Sequence, residues 1–85
     1  MAKLDRVVEI SNSVVALLRE ERQRAGLSMN AVAERSGLSQ QMVSYVERGM
    51  RKPTLDTLLR IAKALDVRLS EVIAAAELTN QSKVR

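Results

Sequence analysis

The stretch Ser28–Gly49, SMNAVAERSGLSQQMVSYVERG, constrains the fold of this chain more than any other. Ser28 can cap a helix, its hydroxyl accepting from an N–H of the opening turn that has no helical partner. Val32, Ala33 and Ser36 give that helix an apolar-to-small face. Gly37 stops it, because glycine enters the left-handed backbone region without steric cost. Leu38 then plugs the angle between two helices, and Ser39 caps the second. Val43 and Val46 are the buried positions of that second helix, and Gly49 ends it. The stretch is predicted as two short helices joined by a tight glycine turn, an outline that helical hairpins of several kinds share.

The rest of the chain must build a core around this hairpin from few residues. Its 85 residues bound one small domain, of a size that often leans on a partner subunit. Hydrophobic residues make up 46% and aromatic residues 1%, so the core must be aliphatic. Cysteine and histidine are absent. That removes disulfides, thiol chemistry, histidine–metal sites and the usual general base, so neither a metal nor a cofactor is expected. Serine, tyrosine and carboxylates remain, but no constellation sets a nucleophile beside a base, and an enzyme is not expected. No apolar run approaches the roughly 18 residues of a membrane span, and no secretory leader is visible. A cytoplasmic protein without a membrane partner is the expectation. The net charge of +4 suits a polyanionic partner, and it suits an ordinary solvated surface equally well.

Taken in order, the chain reads as five helices. Leu4, Val7, Val8, Ile10, Val14, Leu17 and Leu18 keep helical spacing. They allow one long helix from about Leu4 to Ala25, or a fresh helix capped by Ser11 or Asn12. A break near Ser11 is favoured, leaving residues 1–11 as an arm or helix extension before a domain over 12–78. Val14, Leu17, Leu18 and Ala25 form the apolar face of the first helix, and Arg22, four residues after Leu18, points the same way and needs a partner. Gly26 ends this helix. After Gly49 comes a basic loop, Met50-Arg51-Lys52-Pro53, in which Pro53 disfavours helical geometry for Lys52. Thr54 caps a fourth helix with Asp56 favourable in its first turn, and Leu58, Ile61, Ala62 and Leu65 form its face. A fifth helix holds Leu69, Val72, Ile73 and Ala76. The polar tail, 79–85, is expected to fray.

The segment LREERQRAGLSMNAVAERSGLSQQMVSYVERGMRKPTLDTLLRIAKALDV resembles the phage-repressor-like helix-turn-helix family, also called the XRE or Cro family. The resemblance rests on Gly26-Leu27, Ala33, Ser36-Gly37, Ser39, Val43, Val46, Glu47, Gly49, Pro53-Thr54-Leu55 and Ile61-Ala62-Lys63-Ala64-Leu65 in this order. It covers roughly Val14 to Ile73. It implies an all-α, compact five-helix, lambda-repressor-like domain whose second and third helices form the helix-turn-helix. It also implies that the third helix lies in the major groove of double-stranded DNA.

Residue by residue, the resemblance puts base recognition on Gln40, Gln41, Ser44 and Tyr45. Glutamine suits adenine N6 and N7; Tyr45 could reach a phosphate, a base edge or a thymine methyl. Phosphate contacts are expected from Arg51 and Lys52 and from the helix starts at Ser28, Ser39 and Thr54. The first residue of helix two departs from the family: Met29 stands where a backbone-clamping glutamine is common, unless Asn30 takes over the contact. Arg48 reads equally as a DNA contact or a solvated charge. The resemblance also sets Arg22 against Glu47 as a structural salt bridge orienting helix three.

The family commonly binds inverted repeats as a dimer. Val72, Ile73, Ala76 and Leu78 are more apolar than one small core needs, and Leu69, Val72, Ile73 and Ala76 are expected to form the homodimer interface; the alternative is that these residues only cap the monomer's own core. The implied function is a sequence-specific transcriptional regulator, a repressor or autoregulating controller of bacterial, phage or plasmid origin. The alternative is an antitoxin that also binds operator DNA. A third reading is an interaction module that has lost DNA binding, with Met29 as its best argument. A protein partner, toxin or polymerase, fits the family, but no residue marks one.

Overall fold

The computed structural model describes the backbone of residues 2–83 and the side chains of residues 5–80. Its helices are α1 Ala2–Arg24, α2 Met29–Ser36, α3 Gln40–Glu47, α4 Leu55–Ala64 and α5 Leu69–Lys83, with no strand among the described residues. Three of them start where a hydroxyl precedes an apolar run. Ser28 Oγ accepts from Ala31 N–H at 3.0 Å, Ser39 Oγ from Met42 N–H at 3.0 Å, and Thr54 Oγ1 from Thr57 N–H at 3.1 Å. Each cap satisfies a donor that the helix itself cannot. Between α2 and α3 the chain turns at Gly37, whose φ of 77° lies in the left-handed region. Its N–H and that of Leu38 both close onto the Ala33 carbonyl, at 3.0 and 3.1 Å.

α1 runs without a break through Ser11 and Asn12, which corrects the expected fresh start there. Serine and asparagine inside a helix cost only a fraction of a kcal/mol each, and neither glycine nor proline interrupts this stretch. Packing makes up that cost: Ile10 rests on the core, and Ser13 Oγ accepts a hydrogen bond of 2.9 Å from Asn80 Nδ2 on α5. The same contact extends α5. Asn80 is 1% exposed and also donates to the Ala76 carbonyl, so the helix continues to Lys83 instead of fraying from Thr79. Residues 84 and 85 of the expected tail, and Met1 of the expected arm, lie outside the described residues.

The core is aliphatic and draws on every helix: Val14 and Leu18, Val32 and Ala33, Val43 and Val46, Ile61 and Ala62, then Leu69, Val72 and Ala76. Each fully buried valine, leucine or isoleucine among them contributes about 1.5–3 kcal/mol. The α5 residues expected at a dimer interface are part of this core. Leu69, Val72 and Ala76 are 6%, 8% and 0% exposed within a single protomer, and Ile73 is half-buried against the same core. These residues hold α5 to its own domain. The apolar side chains left in solvent are others: Val7, Val8, Met50, Leu55, Leu59 and Leu78.

Candidate nucleic-acid interface

α3 is short, eight residues, and its sequence divides it into two sides. Val43 and Val46 are 1% and 2% exposed and form its root in the core. Gln40 and Gln41 stand exposed in its first turn, directly after the Ser39 cap, while Ser44 and Tyr45 are half-buried one turn on.

The orientation of α3 is fixed by Arg22. Its Nε donates to Glu47 Oε2 at 2.6 Å and its Nη2 to Glu47 Oε1 at 3.0 Å, a two-pronged pair. Nη1 donates to the Leu27 carbonyl at 2.8 Å. One side chain therefore ties α1, the α1–α2 turn and the end of α3 together. The pair is largely shielded, with the side chains 13% and 8% exposed, and planar guanidinium–carboxylate geometry is where such pairs are strongest.

The exposed side of α3 carries a second connection. Gln41 Nε2 donates to the Tyr45 hydroxyl at 2.6 Å, across one helical turn. The Arg51 guanidinium lies over the Tyr45 ring, 5.6 Å from its centroid, in cation–π geometry. Gln41, Tyr45 and Arg51 are thus brought together. Gln40, Ser44, Asn30 and Lys52 make no side-chain hydrogen bond or ion pair among the described residues, and remain open to an outside partner. Ser28, Ser39 and Thr54 use their hydroxyls on their own helices, so the groups they leave for a ligand are the adjoining backbone N–H groups. Met29 turns inward and packs against the core, which accounts for an apolar residue at the start of α2. Asn30 beside it is exposed.

The chain after α3 is cationic. Arg48, Arg51 and Lys52 are exposed, and together with Arg19 of α1 they border an open groove of about 700 Å³ between α1 and the α3–α4 loop. Glu47 is the acid on that groove, and it is already engaged by Arg22. Nothing in the sequence marks Arg19 for this groove, since it lies on the solvated side of α1 only three residues before Arg22. The Gln41–Tyr45 bond is marked only by their spacing of four on one helix.

Comparison with known proteins bears on what this surface meets. A helix-turn-helix family profile matches residues 18–72. The HTH-type transcriptional regulator y4dJ of Sinorhizobium fredii is 41% identical over 71 residues, covering 84% of this chain and 88% of that protein. An HTH-type transcriptional regulator of Mycobacterium tuberculosis, Rv0474, is 52% identical over 52 residues. That match takes in 61% of this chain but spans only 37% of the mycobacterial protein's length. Among solved structures, the clp gene regulator ClgR from C. glutamicum superposes with a TM-score of 0.73 at 26% identity, covering 82% of this chain and 91% of that one. The restriction-modification controller protein C.AhdI from Aeromonas hydrophila gives a TM-score of 0.68 at 37% identity, covering 76% and 97%.

Proposed function

The chain belongs to the helix-turn-helix family of transcriptional regulators, and on that premise we propose that it binds operator DNA with α3 in the major groove. The observation that carries this reading is the two-sided build of α3. Its valines are locked in the core, while two glutamines stand exposed at its first turn beside a cationic loop. First-turn residues of a recognition helix are those that meet base edges, and glutamine offers the donor and acceptor that suit adenine. Gln40, Gln41 and Ser44 read bases in this account. Arg51, Lys52 and Asn30 meet phosphates, together with the backbone N–H groups that follow Ser28, Ser39 and Thr54. Arg22 and Glu47 hold the reading helix at its angle.

Two protomers on an inverted repeat, with half-sites about one turn or 34 Å apart, is the arrangement that suits one short recognition helix per chain. The buried residues of α5 stay in each protomer's core. Output is occupancy of DNA in the cytoplasm, with no reaction catalysed. C.AhdI and ClgR are a restriction-modification controller and a regulator of clp genes, so the shared fold leaves the choice of target genes to the operator sequence.

Selection of bound duplexes from a random pool, followed by a salt titration, tests the proposal. Enrichment of a two-fold symmetric site, weakened by Gln41→Ala and falling steeply with salt, supports it. Binding indifferent to sequence and to that variant overturns it.

A further inference from the structure

We infer that Tyr45 acts through Gln41, holding its amide so that α3 reads an adenine at one position of each half-site. The inference rests on the proposed reading of DNA by α3 and assigns Tyr45 a different part from a base contact of its own.

A side-chain amide has two N–H donors and one carbonyl oxygen. At Gln41 one N–H is committed to the Tyr45 hydroxyl at 2.6 Å. The second N–H and Oε1 are left. That is the donor and acceptor that match adenine N7 and N6 in the major groove. Guanine presents two acceptors there and cytosine only a donor, so neither engages both remaining groups.

The anchor is well placed to hold an orientation. A tyrosine side chain has two torsions where glutamine has three, and this ring is half-buried on α3. Its face is covered by the Arg51 guanidinium, 5.6 Å from the centroid. Arg51 belongs to the loop that carries the proposed phosphate contacts. The base reader and the phosphate-gripping loop are therefore joined through one ring. Gln40, the neighbouring reader, makes no comparable contact among the described residues, and its amide carries no preset orientation.

The test uses the full chain and the operator recovered from the random pool. Affinities for all four base pairs at each operator position are measured at one salt concentration. The proteins are wild type, Tyr45→Phe, Gln41→Ala and the double variant. Tyr45→Phe keeps the ring and the Arg51 stack but loses the hydroxyl. It is expected to flatten the adenine preference at one position by about five- to tenfold, within the range of a well-made bidentate contact. Gln41→Ala is expected to flatten the same position. The double variant should lose no more than Gln41→Ala alone, and the melting temperature of Tyr45→Phe should match that of wild type. An unchanged preference in Tyr45→Phe overturns the inference. So does a loss at a different position, a loss that adds to that of Gln41→Ala, or a wild-type preference for guanine at the Gln41 position. If the wild type enriches no site at all, the DNA-reading role of α3 fails first and takes this inference with it.

Discussion

Replacing Glu47 by alanine leaves the Arg22 guanidinium with the Leu27 carbonyl as its remaining hydrogen-bond partner. Removing one member of a buried ion pair strands the other charge, at a cost of about 3–5 kcal/mol. The low end applies, because Arg22 keeps the Leu27 bond and 13% of its side chain still meets water. A chain of 85 residues has a total folding stability of roughly 4–13 kcal/mol, so a loss of about 3 is a large fraction of it. For a domain of this size each kcal/mol moves the melting temperature by about 4–8 °C, and the expected drop is about 12–24 °C. Far-UV circular dichroism against temperature and against urea measures both quantities. The double replacement Arg22→Met with Glu47→Leu serves as the control. It removes both charges and keeps volume, so it should recover most of the loss. A Glu47→Ala protein melting within about 4 °C of wild type would refute the assignment of this pair to the architecture of α3.

Other expectations follow from single features. Gly37→Ala places a side chain on a backbone with φ of 77°, and should cost about 1–2 kcal/mol in urea denaturation even though its new methyl meets nothing closer than Arg60 Nη1 at 3.5 Å. Ser39→Ala removes the α3 cap and should cost about 1 kcal/mol by the same measurement. Arg51→Ala should reduce the slope of log affinity against log salt by about one, with operator preference retained at the positions Gln40 reads. Asn80 is buried with its Oδ1 unpaired among the described residues. Asn80→Leu with Ser13→Ala, which replaces both partners by apolar groups, should leave thermal stability equal to or above wild type.

Much of this architecture was legible in the sequence because it obeys local rules. A hydroxyl ahead of an apolar run marked the starts of α2, α3 and α4, and Gly37 marked the turn between α2 and α3. Arg22 stood on a core-facing stripe in need of a partner, and its pairing with Glu47 followed from the family resemblance. What could not be read depended on contacts between distant segments. Whether α1 continues through Ser11 turns on small propensity differences, and the Ser13–Asn80 contact across 67 residues tips them. The same contact carries α5 past its expected end. Periodicity showed which face of α5 is apolar, but not that the protomer's own core covers it. The Gln41–Tyr45–Arg51 arrangement depends on rotamers and on where the α3–α4 loop returns, neither of which residue spacing specifies.

The surface that meets DNA can be mapped directly by recording backbone amide chemical shifts of the isotope-labelled chain as the selected duplex is added. The largest changes are expected at residues 40–45, across the loop 48–53 and in the first turns of α2 and α4, with the outer face of α5 around Ala74 little changed. Changes concentrated on that α5 face, with residues 40–45 unmoved, would contradict the claim that α3 is the element that reads DNA.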